Sequence, residues 1–159
     1  MSDPQPFLEI DGEPYAAWWH DRFAPPADPF SGMRFYRRGR AKIWVGTAAI
    51  EGLAGVRVDA VGIHLLRVGR RLWKPTSAAI IAFGGDATRN AIDLDRGDAA
   101  SFLRGEPLLL GEDDERRAGV TAGFVAVRLE GVALGCGEWR RETLLSCVPK
   151  ARQGLELDP

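Results

Sequence analysis

The segment Phe35 to Trp44 reads FYRRGRAKIW and, with Arg34 in front of it, interleaves Arg34, Arg37, Arg38, Arg40 and Lys42 with the rings of Phe35, Tyr36 and Trp44. Such a mixture meets two needs of one kind of ligand, because cations attract phosphate oxygens and aromatic faces stack on unpaired bases. The same combination returns at Arg70, Arg71, Trp73 and Lys74. Tyr36 and Trp73 are the rings expected to touch a base, whereas Phe35 and Trp44 suit the core side of a strand. Eighteen of the 21 cations are Arg, which favours bidentate phosphate contacts, although a GC-rich genome produces the same bias.

The overall net charge of −1 hides an uneven distribution. Residues 1–33 carry one Arg against six acids, residues 34–74 carry ten cations against two acids, and residues 75–159 carry ten against fourteen. The blocks are therefore −5, +8 and −4. A local surplus of this size attracts a polyanion whatever the total charge. The competing explanation is solvated strand edges, where positive charge discourages edge-to-edge pairing.

Other chemistries find less support. His64 lies in an apolar run, where a lone histidine is more often a hydrogen-bonded core residue than a base. Asp93, Asp95 and Asp98 stand near an expected helix start, and capping accounts for them. Cys136 and Cys147 are eleven residues apart and the chain has only two histidines, a pattern that fits no zinc motif. They are expected to be buried thiols, with a disulfide as the alternative. No apolar run is long enough for a membrane span, and residues 1–10 have no signal-peptide pattern, so a cytoplasmic location is expected.

The 159 residues suffice for one domain, residues 34–159, behind a proline-rich acidic leader, residues 1–33, that packs on it. Six of the ten prolines fall in the leader, and only Pro14 to Phe23 reads as a helix, with Tyr15, Trp18, Trp19, Arg22 and Phe23 on one side. Strands are expected at Ala41 to Thr47, Val56 to Val58, Gly62 to Val68, Asn90 to Leu94 and Leu108 to Leu110. Helices are expected at Pro75 to Phe83, before Gly84-Gly85, and at Asp98 to Leu103, before Gly105. Phe124 to Leu129 and Val132 to Cys136 flank Glu130-Gly131 and form the clearest hairpin. The sum is an α+β fold, a mixed barrel of about six strands with two or three short helices. It lacks the βαβ repeat of a doubly wound nucleotide-binding fold.

Four stretches carry a family resemblance: GIHLLRVGRRLWKP at Gly62 to Pro75 followed by TSAAIIAFG, FLRGEPL at Phe102 to Leu108, GFVAVRLEGVALGCGEWR at Gly123 to Arg140, and PKAR at Pro149 to Arg152. In order and spacing they resemble the C-terminal PUA-like domain of Sun-family RNA cytosine-5 methyltransferases, of the ribosomal RNA methyltransferase F type. The chain departs from that family at Glu138, where lysine is frequent, and at Ser146-Cys147, where Asn-His is frequent. The resemblance implies a PUA-like fold and a non-catalytic domain that contacts ribosomal or transfer RNA in RNA modification or ribosome biogenesis, and it adds Lys150 and Arg152 to the RNA-facing residues. The methyltransferase part has no counterpart here: no glycine-rich cofactor loop follows a strand, and neither cysteine has the Pro-Cys or Thr-Cys setting of the attacking thiol. No cofactor is expected. The alternatives are a protein-interaction module docking onto a separate RNA-modifying enzyme or ribosomal protein and, behind it, a small-barrel enzyme.

Overall fold

A computed structural model describes residues 5–47, 49 and 57–153. It contains two five-stranded sheets, one of them curled into a half-barrel, and three α-helices. Sheet A is an antiparallel meander of β1 (Phe7–Ile10), β2 (Arg34–Arg38), β3 (Lys42–Gly46), β4 (Ile63–Val68) and β5 (Trp73–Pro75) in that order. Sheet B runs β6 (Ala91–Leu94), β8 (Gly123–Leu129), β9 (Val132–Arg140), β10 (Thr143–Ser146) and β7 (Leu108–Leu109). β6 and β8 form its one parallel pair among the described residues, connected through α3 (Arg96–Leu103) and β7. Two further helices, α1 (Glu13–Phe23) and α2 (Ser77–Phe83), pack into the space where the sheets meet.

The α+β class holds, with ten strands among the described residues where the sequence suggested about six. The unread strands are short or highly charged, such as β2 with sequence RFYRR and β5 with WKP. The strand expected at Val56 to Val58 is absent where it can be judged, because Arg57 and Val58 lie in irregular chain and Val56 lies outside the described residues. Pro75 ends β5 instead of opening α2, which is capped by Thr76, whose hydroxyl accepts from the Ala79 amide at 3.0 Å.

Packing follows the period-2 alternation of strand β8. Phe124 and Ala126 face a first core with Phe35, Ile43, Val45, Leu65 and Leu66 of sheet A, while Val125 and Val127 face a second core with Ile92, Phe102, Trp139 and Leu144. Helix α1 adds Trp19 and Phe23 to the first core, where Trp19 meets Phe30 edge-on at 5.7 Å between ring centroids. The helix stops at Ala24, in left-handed conformation (φ 43°), ahead of Pro25 and Pro26.

A buried amide ties α1 to sheet B. Asn90 donates from its side-chain nitrogen to the Arg22 carbonyl (2.7 Å), and its side-chain oxygen accepts from both the amide (2.8 Å) and the hydroxyl (3.1 Å) of Thr121. It also holds a left-handed backbone (φ 53°), which asparagine adopts more readily than most residues. Asn90→Ala should therefore lower unfolding stability by roughly 3 kcal/mol, by orphaning buried groups and straining the backbone. Equilibrium urea unfolding checks this, and a loss below about 1 kcal/mol would remove Asn90 as a structural tie.

Candidate nucleic-acid interface

The register of sheet A turns scattered cations into a row. Arg38 pairs with Lys42, Lys42 with Arg67, and Arg67 with Lys74, so these four residues occupy directly opposite positions across β2, β3, β4 and β5. Directly paired residues project from the same face of a sheet. A β-bulge creates this alignment. Ile43 opposes Leu66 but Trp44 opposes His64, which leaves Leu65 as the extra residue and puts His64 and Arg67 on one face.

The β2–β3 turn at residues 39–41 and the β4–β5 turn at 69–72 lie at the same end of the meander, beside this row. They bring up Arg40, Arg70 and Arg71, and Arg37 closes the group on the other face of β2. Gly39 takes a left-handed backbone (φ 64°) that the tight β2–β3 turn requires. Lys42, Arg67, Arg70, Arg71, Lys74, Arg37 and Arg40 are exposed. Arg38 is half-buried, donating to the Asp59 carbonyl at 2.6 Å and lying 5.0 Å from the Phe7 ring centroid. None of the eight forms an ion pair with a carboxylate among the described residues.

Five arginines on the sheet B side behave differently. Arg128 pairs with Asp93 (2.8 Å), Arg117 with Glu142 (3.3 Å), Arg140 with Glu138 (2.5 Å) and Arg104 with Glu106 (2.9 Å), while Arg116 bridges Asp98 and Asp114, each at 2.7 Å. Arg116 bonds to the Asp114 carboxylate from both side chain and backbone and holds that carboxyl down at about 2. The aspartates that could have suggested a metal cluster are thus taken up: Asp95 caps α3 by accepting from the Asp98 amide at 2.8 Å, and Asp93 and Asp98 hold arginines. Among the described residues no cluster has the makeup of a metal site.

Several expected contact residues lie elsewhere. Tyr36 is fully buried against Phe7 and Val61 and has no face left for a base. Arg34 sits at the far end of β2, opposite Gly46, in an ion pair with Glu9 at 3.6 Å. Lys150 and Arg152 belong to a 3-10 turn on the sheet B side, where Gln153 packs on Gly105 and bonds to Val148, a member of the second core. Trp73 remains half-buried beside Trp18. Arg67, unnoticed in the sequence, joins the row because only the bulge discloses its facing. His64 stacks on Trp44 (5.0 Å, 17°), and burial lowers its pKa, with Lys42 and Arg67 pushing the same way, so it stays neutral at neutral pH.

The two thiols adjoin the inner end of this surface. Cys147 continues the β10 ladder opposite Cys136, its amide donating to the Cys136 carbonyl at 2.9 Å. The Ser77 hydroxyl is inserted on the other side of the pair, accepting from the Cys136 amide (3.1 Å) and donating to the Cys147 carbonyl (3.4 Å). Both cysteines are free, with Cys136 buried and Cys147 half-exposed. The neighbouring Cys136 thiol, helped by the Lys74 charge, pulls Cys147 down to about 7, whereas Cys136, whose thiol donates to the Gly137 carbonyl at 3.5 Å, is raised. Iodoacetamide should therefore modify Cys147 in the native protein, with a rate that rises through about pH 7, and spare Cys136. Peptide mapping by mass spectrometry reads this out, and equal labelling of both thiols would contradict it.

Comparison with known proteins places the second half of this architecture. Residues 89–152 match the family model of the Methyltransferase RsmF PUA domain, from the start of β6 to the C-terminal 3-10 turn. The Ribosomal RNA small subunit methyltransferase F of Aeromonas salmonicida is 28% identical over 110 residues, 69% of this chain and 22% of that protein. The enzyme of the same name from Aeromonas hydrophila is 28% identical over 114 residues, 70% of this chain and 23% of that protein. The chain thus spans under a quarter of the length of these relatives, and the family match excludes sheet A. On the fold and on these matches, the chain carries a PUA-like domain resembling that of the RsmF methyltransferases.

Proposed function

We propose that the chain binds structured RNA through the cationic end of sheet A, acting without catalysis of its own in the modification of ribosomal or transfer RNA. The observation that carries this reading is the group of eight cations that have no carboxylate partner among the described residues, set against Arg104, Arg116, Arg117, Arg128 and Arg140 on the sheet B side, which are held by carboxylates. Like charges directly opposite one another in a sheet are destabilising by themselves, on the order of 0.2–1 kcal/mol per pair. A polyanion lying across the row removes that repulsion and supplies counter-charge spaced along a backbone. RNA is the polyanion favoured by the resemblance to a domain of ribosomal RNA methyltransferases.

The sheet surface contributes more than charge. Trp44 and His64 form a stacked, partly buried pair on the same face as the row, and the imidazole, whose Nε2 lies 3.2 Å from the Leu66 carbonyl, adds no further repelling cation at neutral pH. Phosphate contacts from the row would fix orientation, while the adjacent rings supply the surface on which bases rest.

Replacing Lys42 and Arg67 together by Ala should weaken binding to a ribosomal RNA fragment by roughly tenfold or more and reduce the salt slope by about two contacts. The double change Arg104→Ala, Arg140→Ala removes two paired cations from the sheet B side and should alter affinity less than about twofold. All four side chains are exposed, so melting curves should stay nearly unchanged. Filter binding across a salt series makes the comparison. Equal losses from the two pairs would mean that binding follows total charge, and the assigned surface would be wrong.

A further inference from the structure

A pocket of about 320 Å³ opens between α1, the β4–β5 turn and the start of β8, on the edge of the cationic region. Its walls include Trp18 and Trp73, whose ring centroids are 6.3 Å apart with a 39° tilt, together with Phe124. Tyr15 covers another part of Trp73 from 5.3 Å, which braces the indole within the fold. Arg71 and Leu72 stand at the rim, both exposed, and Leu72 keeps 56% of its surface open to solvent although it is a large apolar residue.

The polar wall is Arg22, the one Arg of residues 1–33. Its guanidinium donates from Nε to the Phe124 carbonyl (2.7 Å), from Nη1 to the Thr121 hydroxyl (2.7 Å) and from Nη2 to the Thr121 carbonyl (3.0 Å). All three acceptors are neutral, and no carboxylate pairs with it among the described residues. Of the five donor hydrogens of a guanidinium, some are left over, and they are held rigidly at the pocket wall. Gly123 lets the chain pass close by: a Cβ there would lie 3.2 Å from Nη2. Burial presses the Arg22 pKa downward, opposed by Cys136 and reinforced by the Arg89 charge.

An apolar aromatic wall beside one fixed and one exposed cation fits a planar ring that carries an anionic group. The volume is at the low end for small-molecule sites and suits one nucleotide better than a longer segment. We propose that this pocket receives a single unpaired nucleotide of bound RNA, its base against Trp73 and Trp18 and its phosphate toward Arg22 and Arg71. This rests on the RNA reading above and adds to it a preference for RNA with an extruded base. A free nucleotide has the same chemistry, so the test separates the two sources.

Three hairpins serve as probes: one fully paired, one with a single bulged nucleotide, and one with an abasic site in the bulge. Wild-type protein should bind the bulged hairpin at least about tenfold more tightly than the other two. Trp73→Leu should abolish that ratio while leaving affinity for the paired hairpin within about twofold. Because Trp73 also packs on Tyr15 and Trp18, Arg71→Glu at the exposed rim provides a second variant, and the ratio should fall in it as well. Equal affinities of wild type for all three hairpins, or an undiminished ratio in both variants, overturns the proposal. Saturable quenching of tryptophan fluorescence by a nucleoside monophosphate, with no preference among the hairpins, would assign the pocket to free nucleotides and likewise overturn it. Failure of every hairpin to bind at low salt would remove the RNA reading itself, and this inference with it.

Discussion

A single extra residue, Leu65, sets the arrangement on which the surface depends. In a regular strand, residues three apart point to opposite faces, so His64 and Arg67 would diverge. The bulge at Leu65 reverses that parity, letting Leu65 and Leu66 both bury completely and bringing Arg67 level with Lys42 and Lys74. Burial of each leucine stabilises by about 1.5–3 kcal/mol, against repulsion of about 0.2–1 kcal/mol for each opposed cation pair. The core therefore holds the row in place despite its charge.

The two sheets handle charge in opposite ways while sharing one core. Phe124, Ala126 and Cys136 of sheet B meet Phe35, Val45 and Leu66 of sheet A there, so the surfaces outside are fixed relative to one another. The sheet B half neutralises five of its arginines with acids, as Asp114 and Asp98 do for Arg116. Sheet A leaves its cations to solvent at the ends of two hairpins. The surface proposed for RNA lies mainly outside residues 89–152, which match the family model.

Elements with strong local signals were legible in the sequence. The Glu130-Gly131 hairpin, the capped helices α2 and α3, and α1 behind Pro14 lie within a few residues of their expected limits, since each depends on neighbours in the chain. β2 was only partly legible, because RFYRR is mostly charged and its strand is completed by ladders with β1 and β3 along its two edges. The same blindness affected the site. Arg37, Arg38, Arg40, Lys42, Arg70, Arg71 and Lys74 come together as clustered charges, yet Tyr36 is drawn inside and Arg34 is claimed by Glu9, a residue distant in sequence. Arg67 entered through the bulge, and the pocket beside Trp73 required Arg22 from the leader. Register and long-range pairing carry this information, and neither has a signature in adjacent residues.

The most direct test of the account is the affinity of the unmodified protein for a ribosomal RNA fragment, measured between 50 and 200 mM salt. Engagement of about four phosphates by the open cations predicts a straight log–log plot and a fall of roughly 50- to 150-fold across that range, the lower figure for single-stranded and the higher for duplex RNA. An affinity constant to within about threefold, or no complex at 50 mM, would contradict it.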